Sequence, residues 1–212
     1  MKYGKFITFE GPEGAGKSTQ IKMLGEFLTR SGIDCIITRE PGGTPLAEEL
    51  RSIVKGFSGN ETVHPETELL LMEAARAQHA GVVIAPALAA GKWVLCDRFF
   101  DSTTAYQGGA RGIDREMIDT LNRFAAKSCI PDLTILMDLP PEAGFARAAK
   151  RQETQGEHDR FEQEKIDFHH KVRNAFLECA AAEPQRFRIV DADRSIEDIH
   201  REIREIVTKS LQ

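Results

Sequence analysis

Short apolar runs recur along the chain, and sequence with helical periodicity separates each run from the next. The runs occupy residues 6–9, 33–38, 93–96, 133–139 and 187–190. They are almost continuously apolar rather than alternating, which is typical of parallel strands that helices cover on both faces. Because strands and helices alternate, the pattern predicts βαβ units and an α/β fold with a five-stranded parallel sheet.

Boundary signals mark the first and the last predicted helix. The first helix should end at Ser31–Gly32, because glycine readily adopts the left-handed conformation that closes a helix. The last helix should begin at a capping box formed by Ser195 and Asp198. The apolar residues that follow should form one buried stripe: Ile196, Ile199, Ile203, Ile206 and Val207. No repeat or linker interrupts this order, so we expect one domain over residues 1–212.

A glycine-rich segment joins the first apolar run to the first helix. Residues 11–18 read Gly-Pro-Glu-Gly-Ala-Gly-Lys-Ser, so the local order is strand, glycine loop, helix. Consecutive backbone N–H groups of such a loop point at one anion, and the helix N-terminus adds partial positive charge. The pattern predicts a phosphate-binding loop in which Lys17 reaches the β- and γ-phosphates and Ser18 binds Mg²⁺. A merely flexible connection is the alternative. The predicted nucleotide-binding residues are Gly11, Pro12, Glu13, Gly14, Ala15, Gly16, Lys17, Ser18 and Thr19.

The overall composition narrows the class of protein. With 212 residues, 41% of them hydrophobic, the chain can bury a sizeable core. Its net charge of −5 argues against non-specific nucleic-acid binding, which usually shows as a basic excess. No apolar run approaches the ~20 residues that span a bilayer, and no signal segment opens the chain, so we expect a cytoplasmic protein. The cysteines and histidines form no metal-ligand pattern, and we expect free thiols.

Three further segments follow predicted strands. Residues 39–44 read Arg-Glu-Pro-Gly-Gly-Thr, residues 97–99 read Asp-Arg-Phe, and residues 101–108 read Asp-Ser-Thr-Thr-Ala-Tyr-Gln-Gly. Open parallel sheets bind their ligands at the carboxyl ends of the strands, where all three segments should lie. Together with the glycine-rich loop, they closely resemble the thymidylate kinase family. The resemblance runs from about Phe6 to Ile206, and it is specific because the order and spacing of four motifs match together.

The resemblance implies a P-loop NTPase fold and a kinase that transfers the γ-phosphoryl of ATP to dTMP, which gives dTDP and ADP for dTTP synthesis. ATP and Mg²⁺ are the implied cofactors, and a homodimer is the implied assembly, without nucleic acid or membrane as a partner. Phosphoryl transfer between two polyanions needs positive charge that holds donor and acceptor in line. Four residues can supply it: Lys17, Arg39, Arg51 and Arg98.

The resemblance assigns roles to residues around the phosphates. Arg98 matches the arginine that bridges acceptor and donor phosphates, and it is a predicted catalytic residue together with the loop lysine. Arg39 and Arg51 match ligands of the acceptor phosphate, although a solvated surface charge is the alternative for Arg51. Asp97 is predicted to be catalytic and to act with Ser18 at the magnesium ion. The alternative for Asp97 is a structural bond to the loop serine or to a backbone N–H.

The resemblance also assigns a second group of residues to recognition of the base and the sugar. Arg76 matches the arginine that donates to the thymine ring. Tyr106 matches the tyrosine that packs under the deoxyribose and excludes a ribose hydroxyl, and Glu13 matches the residue that accepts a bond from the sugar 3′-hydroxyl. The other predicted acceptor contacts are Ser102, Thr103 and Gln107. Met72 departs from the family, which usually stacks a phenylalanine on thymine. A thioether can still contact a ring face, and an ordinary core methionine is the alternative.

The strongly polar stretch at about 147–160 corresponds to the family's lid over ATP. One group of thymidylate kinases has an arginine within the phosphate-binding loop, whereas the bacterial type has glycine there and basic residues in the lid. This chain has Gly14 and no loop arginine, so it resembles the bacterial type. The candidates for contact with the phosphates are Arg147, Lys150, Arg151 and Arg160, and we count Arg151 among the predicted catalytic residues.

Two other kinds of function are alternatives. Another P-loop deoxynucleotide or deoxynucleoside kinase would share the fold, but Arg39 together with Arg51 favours an acceptor that already carries a phosphate. A non-enzymatic NTP-dependent switch is the second alternative. Switch GTPases carry an Asn-Lys-x-Asp motif after a late strand, and the corresponding run here, 133–139, leads into Pro-Pro-Glu without it.

Overall fold

Within the part of the chain that the structure describes, five parallel strands form the central sheet. The computed structural model describes residues 3–147, 160–161 and 164–211. The strands are β1 (Phe6–Glu10), β2 (Cys35–Arg39), β3 (Trp93–Asp97), β4 (Leu133–Asp138) and β5 (Phe187–Asp191). Their order is β2-β3-β1-β4-β5, and each neighbouring pair is parallel. The predicted five-stranded parallel sheet is confirmed.

Helices connect the strands. Their bounds are α1 (Lys17–Arg30), α2 (Pro45–Gly56), α3 (Pro65–His79), α4 (Ala85–Ala89), α5 (Phe100–Thr103), α6 (Arg115–Ala126), α7 (Ile166–Ala182) and α8 (Ile196–Leu211), and residues 141–147 are also helical. Two π-helical segments continue regular helices: Ala80–Ile84 joins α3 to α4, and Thr104–Ala110 extends α5. The second of these segments carries residues of the predicted acceptor site, so an unusual backbone positions them.

The sheet is covered on both faces only at its centre. Every residue of β1 is buried, and β3 and β4 are buried apart from their ends. The two edge strands are more open, since Ile37 of β2 is 53% exposed and Ile189 of β5 is 52% exposed. The prediction of two covered faces is therefore right for the central strands and wrong at the edges.

The C-terminus of α1 and the N-terminus of α8 lie where the sequence predicts them, but two neighbouring residues differ from the prediction. Gly32 has φ 78° directly after α1, as predicted, but Ile33 donates its N–H to the Leu28 carbonyl. Ile33 thus belongs to the helix end, and β2 begins two residues later than predicted. At α8, the Asp198 N–H donates to Ser195 Oγ at 3.1 Å, which confirms the cap. Ile196 is 50% exposed, so its predicted place on the buried stripe is wrong.

Strand register gathers charged residues at one edge of the sheet. Arg39 lies opposite Asp97, and Asp97 lies opposite Phe9, the neighbour of Glu10. These residues come from three different strands, so the carboxyl ends of β1, β2 and β3 bring distant parts of the sequence together. All four cysteines are free thiols, as expected. None of the helices in the described ranges is long and apolar enough to cross a membrane.

Candidate active site

A cavity of about 1100 Å³ opens at the carboxyl edge of the sheet. Its walls come from the glycine-rich loop, the ends of β2 and β3, helices α2 and α3, and the π-helical segment after α5. Most predicted site residues line it: Glu13, Gly14, Gly16, Lys17, Ser18, Thr19, Arg39, Arg51, Met72, Arg76, Asp97, Arg98, Ser102, Thr103, Tyr106 and Gln107. Residues predicted from separate motifs therefore meet around one cavity.

The other predicted residues lie elsewhere. Gly11, Pro12 and Ala15 are buried residues of the loop itself and do not line the cavity. At Gly11, whose φ is 132°, an added Cβ atom would lie 2.3 Å from the Met137 carbonyl oxygen, so only glycine fits. Arg151, together with Lys150, lies outside the described residues.

Lys17 is the first residue of α1 and follows Gly16, which is left-handed with φ 84°. Its Nζ atom donates to the carbonyl oxygens of Gly11, at 3.2 Å, and Pro12, at 2.9 Å. Burial, together with the neighbouring charge of Arg98, lowers the pKa of Lys17 to about 8. A buried ammonium group whose partners are neutral carbonyls is well suited to exchange them for phosphate oxygens, because charge-assisted bonds are stronger.

Ser18 and Asp97 join the phosphate-binding loop to the end of β3. Ser18 Oγ donates to Asp97 Oδ2 at 2.6 Å. The bond between Asp97 and the loop serine, one of the alternatives for this residue, is therefore present. Both side chains offer oxygen atoms, which are the ligands that Mg²⁺ prefers, so the pair also fits a magnesium ion.

Arg98 connects the phosphate-binding loop to the predicted acceptor residues. Its backbone has φ 68°, which is uncommon for a residue other than glycine. Nη1 donates to the Gly11 carbonyl at 3.0 Å and to Ser102 Oγ at 3.1 Å. Nη2 lies 3.3 Å from both Glu13 Oε2 and Tyr106 Oη. The guanidinium carbon is 5.2 Å from the centre of the Tyr106 ring, which adds a cation–π contact.

Glu10 is a site residue that sequence reasoning missed. This last residue of β1 is completely buried, and it accepts bonds from the Phe99 N–H at 2.7 Å and from Ser102 Oγ at 2.6 Å. Burial raises the pKa of Glu10 to about 8, and the nearby Asp101 acts in the same direction. Its two bonds hold the Phe99 backbone and the Ser102 side chain, both of which follow Arg98 in the sequence. The available signal was an acidic residue at the end of an apolar strand, directly before the glycine loop.

The guanidinium group of Arg76 is enclosed by protein partners. The residue is 3% exposed, although it still reaches the cavity wall. Its nitrogens donate to Glu40, Glu73, Asn122, the Phe99 carbonyl and Thr103, at distances between 2.6 and 3.2 Å. Glu40 also contacts His79 Nδ1 at 3.0 Å. This buried network fixes the position of Arg76, and its contact with a base stays a prediction.

Arg39 and Arg51 add positive charge at the α2 side of the cavity. Arg39 Nη2 pairs with Glu48 Oε2 at 2.9 Å, and the other Glu48 oxygen accepts the Gly43 N–H at 2.9 Å. Arg51 Nη1 donates to the Pro41 carbonyl at 2.9 Å. Arg39 is therefore oriented by Glu48 of α2, and Arg51 by the segment after β2. Their role as ligands of an acceptor phosphate stays a prediction.

Aromatic residues form the apolar wall of the cavity. Tyr106 packs edge-on against Phe161, with 5.7 Å between ring centres, and also contacts Phe168 and Phe176. Met72 is partly buried, packs against this aromatic cluster and lines the cavity. Met72 thus lies at the boundary between the cluster and the space that a ligand would occupy.

Two of the four lid candidates fall within the described residues. Arg147 lines the cavity and pairs with Asp193 at 3.0 Å. Arg160 donates to Glu68 Oε2 at 2.6 Å and to the Val54 carbonyl at 3.1 Å, so it contacts α3 and α2. The rest of the predicted lid lies outside the described residues.

The fold and the site together define a P-loop kinase. A parallel sheet places a strand, a glycine loop and a helix in the order that binds phosphate, with a lysine and a serine at the positions such loops require. An arginine bonded to both the loop and the opposite wall distinguishes this cavity from a simple nucleotide-binding pocket.

Comparison with known proteins identifies the family. The family model described as thymidylate kinase matches residues 9–203. The chain is 52% identical to the thymidylate kinase of Pelobacter propionicus over 92% of this chain and 90% of that one. It is 53% identical to that of Pseudomonas putida strain GB-1, over 94% and 93%. The crystal structure of thymidylate kinase from Ehrlichia chaffeensis superposes with a TM-score of 0.77 at 33% identity, covering 97% of this chain and 99% of that one. The chain belongs to the thymidylate kinase family.

Replacing Lys17 with methionine should stabilise the protein in the absence of nucleotide. The folded-state pKa of Lys17 is about 8 against an ordinary 10.5, so folding below pH 8 buries a charge. Between these values the unfolded chain binds more protons, and the penalty therefore shrinks as pH rises from 8 to 10.5. At pH 7 we expect the free energy of unfolding to increase by up to about 3 kcal/mol, measured by urea titration.

The matched control is Lys22→Met, which changes an exposed lysine of the same helix. It should leave the free energy of unfolding and its pH dependence close to those of the wild type. ATP should stabilise the wild type more than Lys17→Met. A Lys17→Met protein that is less stable than the wild type at pH 7 would contradict the argument.

Proposed function

We propose that this chain transfers the γ-phosphoryl group of ATP to dTMP, which gives dTDP and ADP. The observation that carries the proposal is the position of Arg98. Its guanidinium group contacts the carbonyl of Gly11, the first residue of the phosphate-binding loop, and it also contacts Ser102 and Tyr106 on the predicted acceptor side. A phosphoryl group that passes between the two sides would meet this charge. Membership of the thymidylate kinase family supplies the reaction to which the geometry applies.

The glycine-rich loop and Lys17 would bind the phosphates of ATP. Lys17 Nζ would leave the Gly11 and Pro12 carbonyls and take phosphate oxygens in their place. Because the group is already buried, binding requires little further desolvation, and the ammonium charge acts at full strength on the anion. Negative charge spreads over the equatorial oxygens of the transferred group in the transition state, and fixed cations stabilise it there.

Ser18 and Asp97 are the residues that would hold the magnesium ion accompanying ATP. When bound, Mg²⁺ neutralises phosphate charge and orients the β- and γ-phosphates. Mg²⁺ in kinases usually keeps several waters and uses one or two carboxylates together with substrate phosphates. Within the described ranges, no group of three or more acidic, histidine or cysteine side chains is placed to hold a metal ion.

The acceptor dTMP would occupy the other half of the cavity. Arg39 and Arg51 would bind its phosphate from the α2 side, where both line the cavity wall. The Tyr106 ring would pack under the deoxyribose, and Met72 and Arg76 would contact the base. These assignments come from the family resemblance, and the positions of the five residues around one cavity support them.

We also propose that two copies of the chain associate. Large apolar side chains are exposed on neighbouring elements: Leu70 of α3 (58%), Val82 of the segment after it (56%) and Phe124 of α6 (79%). A second copy covering them would remove apolar surface from water. The cytoplasmic location and the single domain with a lid stay predictions.

A side-by-side acceptor assay tests the proposed function. ATP and Mg²⁺ are incubated with dTMP, dUMP, dCMP or dGMP, and the diphosphate products are separated by chromatography. We expect the highest kcat/KM with dTMP and little ADP without an acceptor. Preference for dCMP or dGMP would contradict the proposed acceptor. If ADP formed at the same rate with and without an acceptor, the result would contradict the proposed kinase activity.

Arg98→Ala should lower turnover by several orders of magnitude in a folded protein. Removing a charge that acts on the transferred group in a buried site raises the barrier by about 3 to 5 kcal/mol. The control is Arg30→Ala at the end of α1, since the Arg30 side chain is 70% exposed. Steady-state kinetics should show control turnover equal to wild type. If Arg98→Ala retained more than about a tenth of wild-type turnover, its proposed role would be wrong.

Met72→Phe should tighten dTMP binding, because it restores the aromatic side chain that the family usually stacks on thymine. Stacking on an aromatic side chain contributes about 1 to 3 kcal/mol and a thioether contact about 0.3 to 1.5. The expected difference of roughly 1 kcal/mol corresponds to a several-fold lower Kd in calorimetric titration, with ATP affinity unchanged. Met117→Phe, at a methionine that is 53% exposed, is the control. Unchanged or weaker dTMP binding by a folded Met72→Phe protein would place Met72 in the core instead.

A further inference from the structure

Gln107 reaches the cavity with an amide group whose two ends differ chemically. The residue lies on the π-helical segment Thr104–Ala110, is 1% exposed and lines the cavity. Its Nε2 atom donates to Glu68 Oε1 at 2.8 Å. A primary amide donates through its nitrogen and accepts through its oxygen. The end that faces a ligand therefore decides which group the ligand must offer.

The hydrogen-bond partners of Glu68 determine which end of the Gln107 amide can bond to it. This completely buried residue of α3 is surrounded by donors. Arg111 donates to both of its carboxylate oxygens, at 3.3 and 3.2 Å, and Arg160 donates to Oε2 at 2.6 Å. Guanidinium groups stay protonated and only donate, so both oxygens of Glu68 act as acceptors. Only the nitrogen end of the Gln107 amide can pair with such a group.

We propose that Glu68 is a positioning residue that sets which pyrimidine the acceptor site selects. By holding Nε2 of Gln107, Glu68 presents Oε1 to the cavity as a hydrogen-bond acceptor. Thymine and uracil have an N3–H donor on their pairing edge, whereas cytosine has an unprotonated N3 that only accepts. The oriented amide therefore selects a 2,4-dioxopyrimidine and rejects cytosine. This inference rests on the proposed function, because it requires a pyrimidine nucleotide in the cavity.

Arg111 and Arg160 complete the arrangement from two other parts of the chain. Arg111 follows the π-helical segment, and it also pairs with Glu164 at 2.7 Å and lies over the Phe168 ring. Arg160 lies over the Phe161 ring, which packs against Tyr106. The guanidinium groups of Arg111 and Arg160 donate to both oxygens of the Glu68 carboxylate and hold it in place. The selectivity of the amide is thus maintained by residues that do not themselves contact the base.

Glu68→Gln tests the proposal with two matched substrates. The change keeps the size of the side chain, but a glutamine both donates and accepts, so the Gln107 amide can turn over. The substrates are dTMP and 5-methyl-dCMP, which share the methyl group and differ only on the pairing edge. We expect the ratio of kcat/KM for dTMP to kcat/KM for 5-methyl-dCMP to be at least about tenfold lower than in the wild type. The change should come mainly from the KM values of the two substrates.

Arg111→Lys is the control, because it weakens the same ion pair while leaving the carboxylate as the partner of Gln107. Its selectivity ratio should stay within about twofold of wild type. If Glu68→Gln alone does not fold, the charge-balanced pair Glu68→Gln with Arg160→Gln should show the same loss of selectivity.

An unchanged ratio in either folded Glu68→Gln protein would overturn the inference, since an anchoring role alone affects both substrates equally. An equal fall of the ratio in Arg111→Lys would also overturn it. A wild-type protein that does not phosphorylate dTMP would instead contradict the proposed function. The two failures are therefore distinguishable.

Discussion

The buried lysine Lys17 and the partly buried arginine Arg98 are the constraint on which the rest of the site depends. Burying a charge is unfavourable unless hydrogen-bond and charge partners surround it. Here the partners are the carbonyls of Gly11 and Pro12 and the carboxylate of Glu13. The carbonyl partners of Lys17 are weaker than phosphate oxygens, so the free protein favours the binding of an anion. The glycine loop thus stabilises the Lys17 ammonium group in the free protein through the Gly11 and Pro12 carbonyls. It also leaves space for the phosphate group that would replace these carbonyls.

A second layer of buried polar residues holds these cations and the opposite wall in place. Glu10 accepts hydrogen bonds from the Phe99 N–H and the Ser102 hydroxyl. These bonds stabilise the left-handed backbone conformation of Arg98, which is uncommon for a residue other than glycine. Glu40 and Glu73 enclose Arg76, and Glu68 holds Gln107. Side chains that are fixed by their own partners keep a site close to its productive geometry before substrates bind. Much of the charge around the cavity therefore serves orientation rather than direct contact.

Local signals in the sequence were sufficient for the strands and the phosphate-binding loop, whereas most other residues of the cavity were assigned through the resemblance to a known family. They failed where the outcome depends on what packs nearby: Ile33 joins the end of a helix, and Ile196 remains exposed. Glu10 and Glu68 were missed because their partners lie far away in sequence, and periodicity contains no information about such contacts. Arg160 was grouped with the lid from its position in a basic stretch, and only the fold reveals its pairing with Glu68.

The most direct test of this account is an NMR titration of the Lys17 side-chain amine, first in the free protein and then with a non-hydrolysable ATP analogue bound. We expect a pKa of about 8 for Lys17 in the free protein, because its charge is buried and Arg98 lies nearby. We further expect this pKa to rise clearly when phosphate oxygens replace the Gly11 and Pro12 carbonyls as partners of Lys17. A pKa for Lys17 near its ordinary value in the free protein, or one that does not rise on binding, would contradict the account.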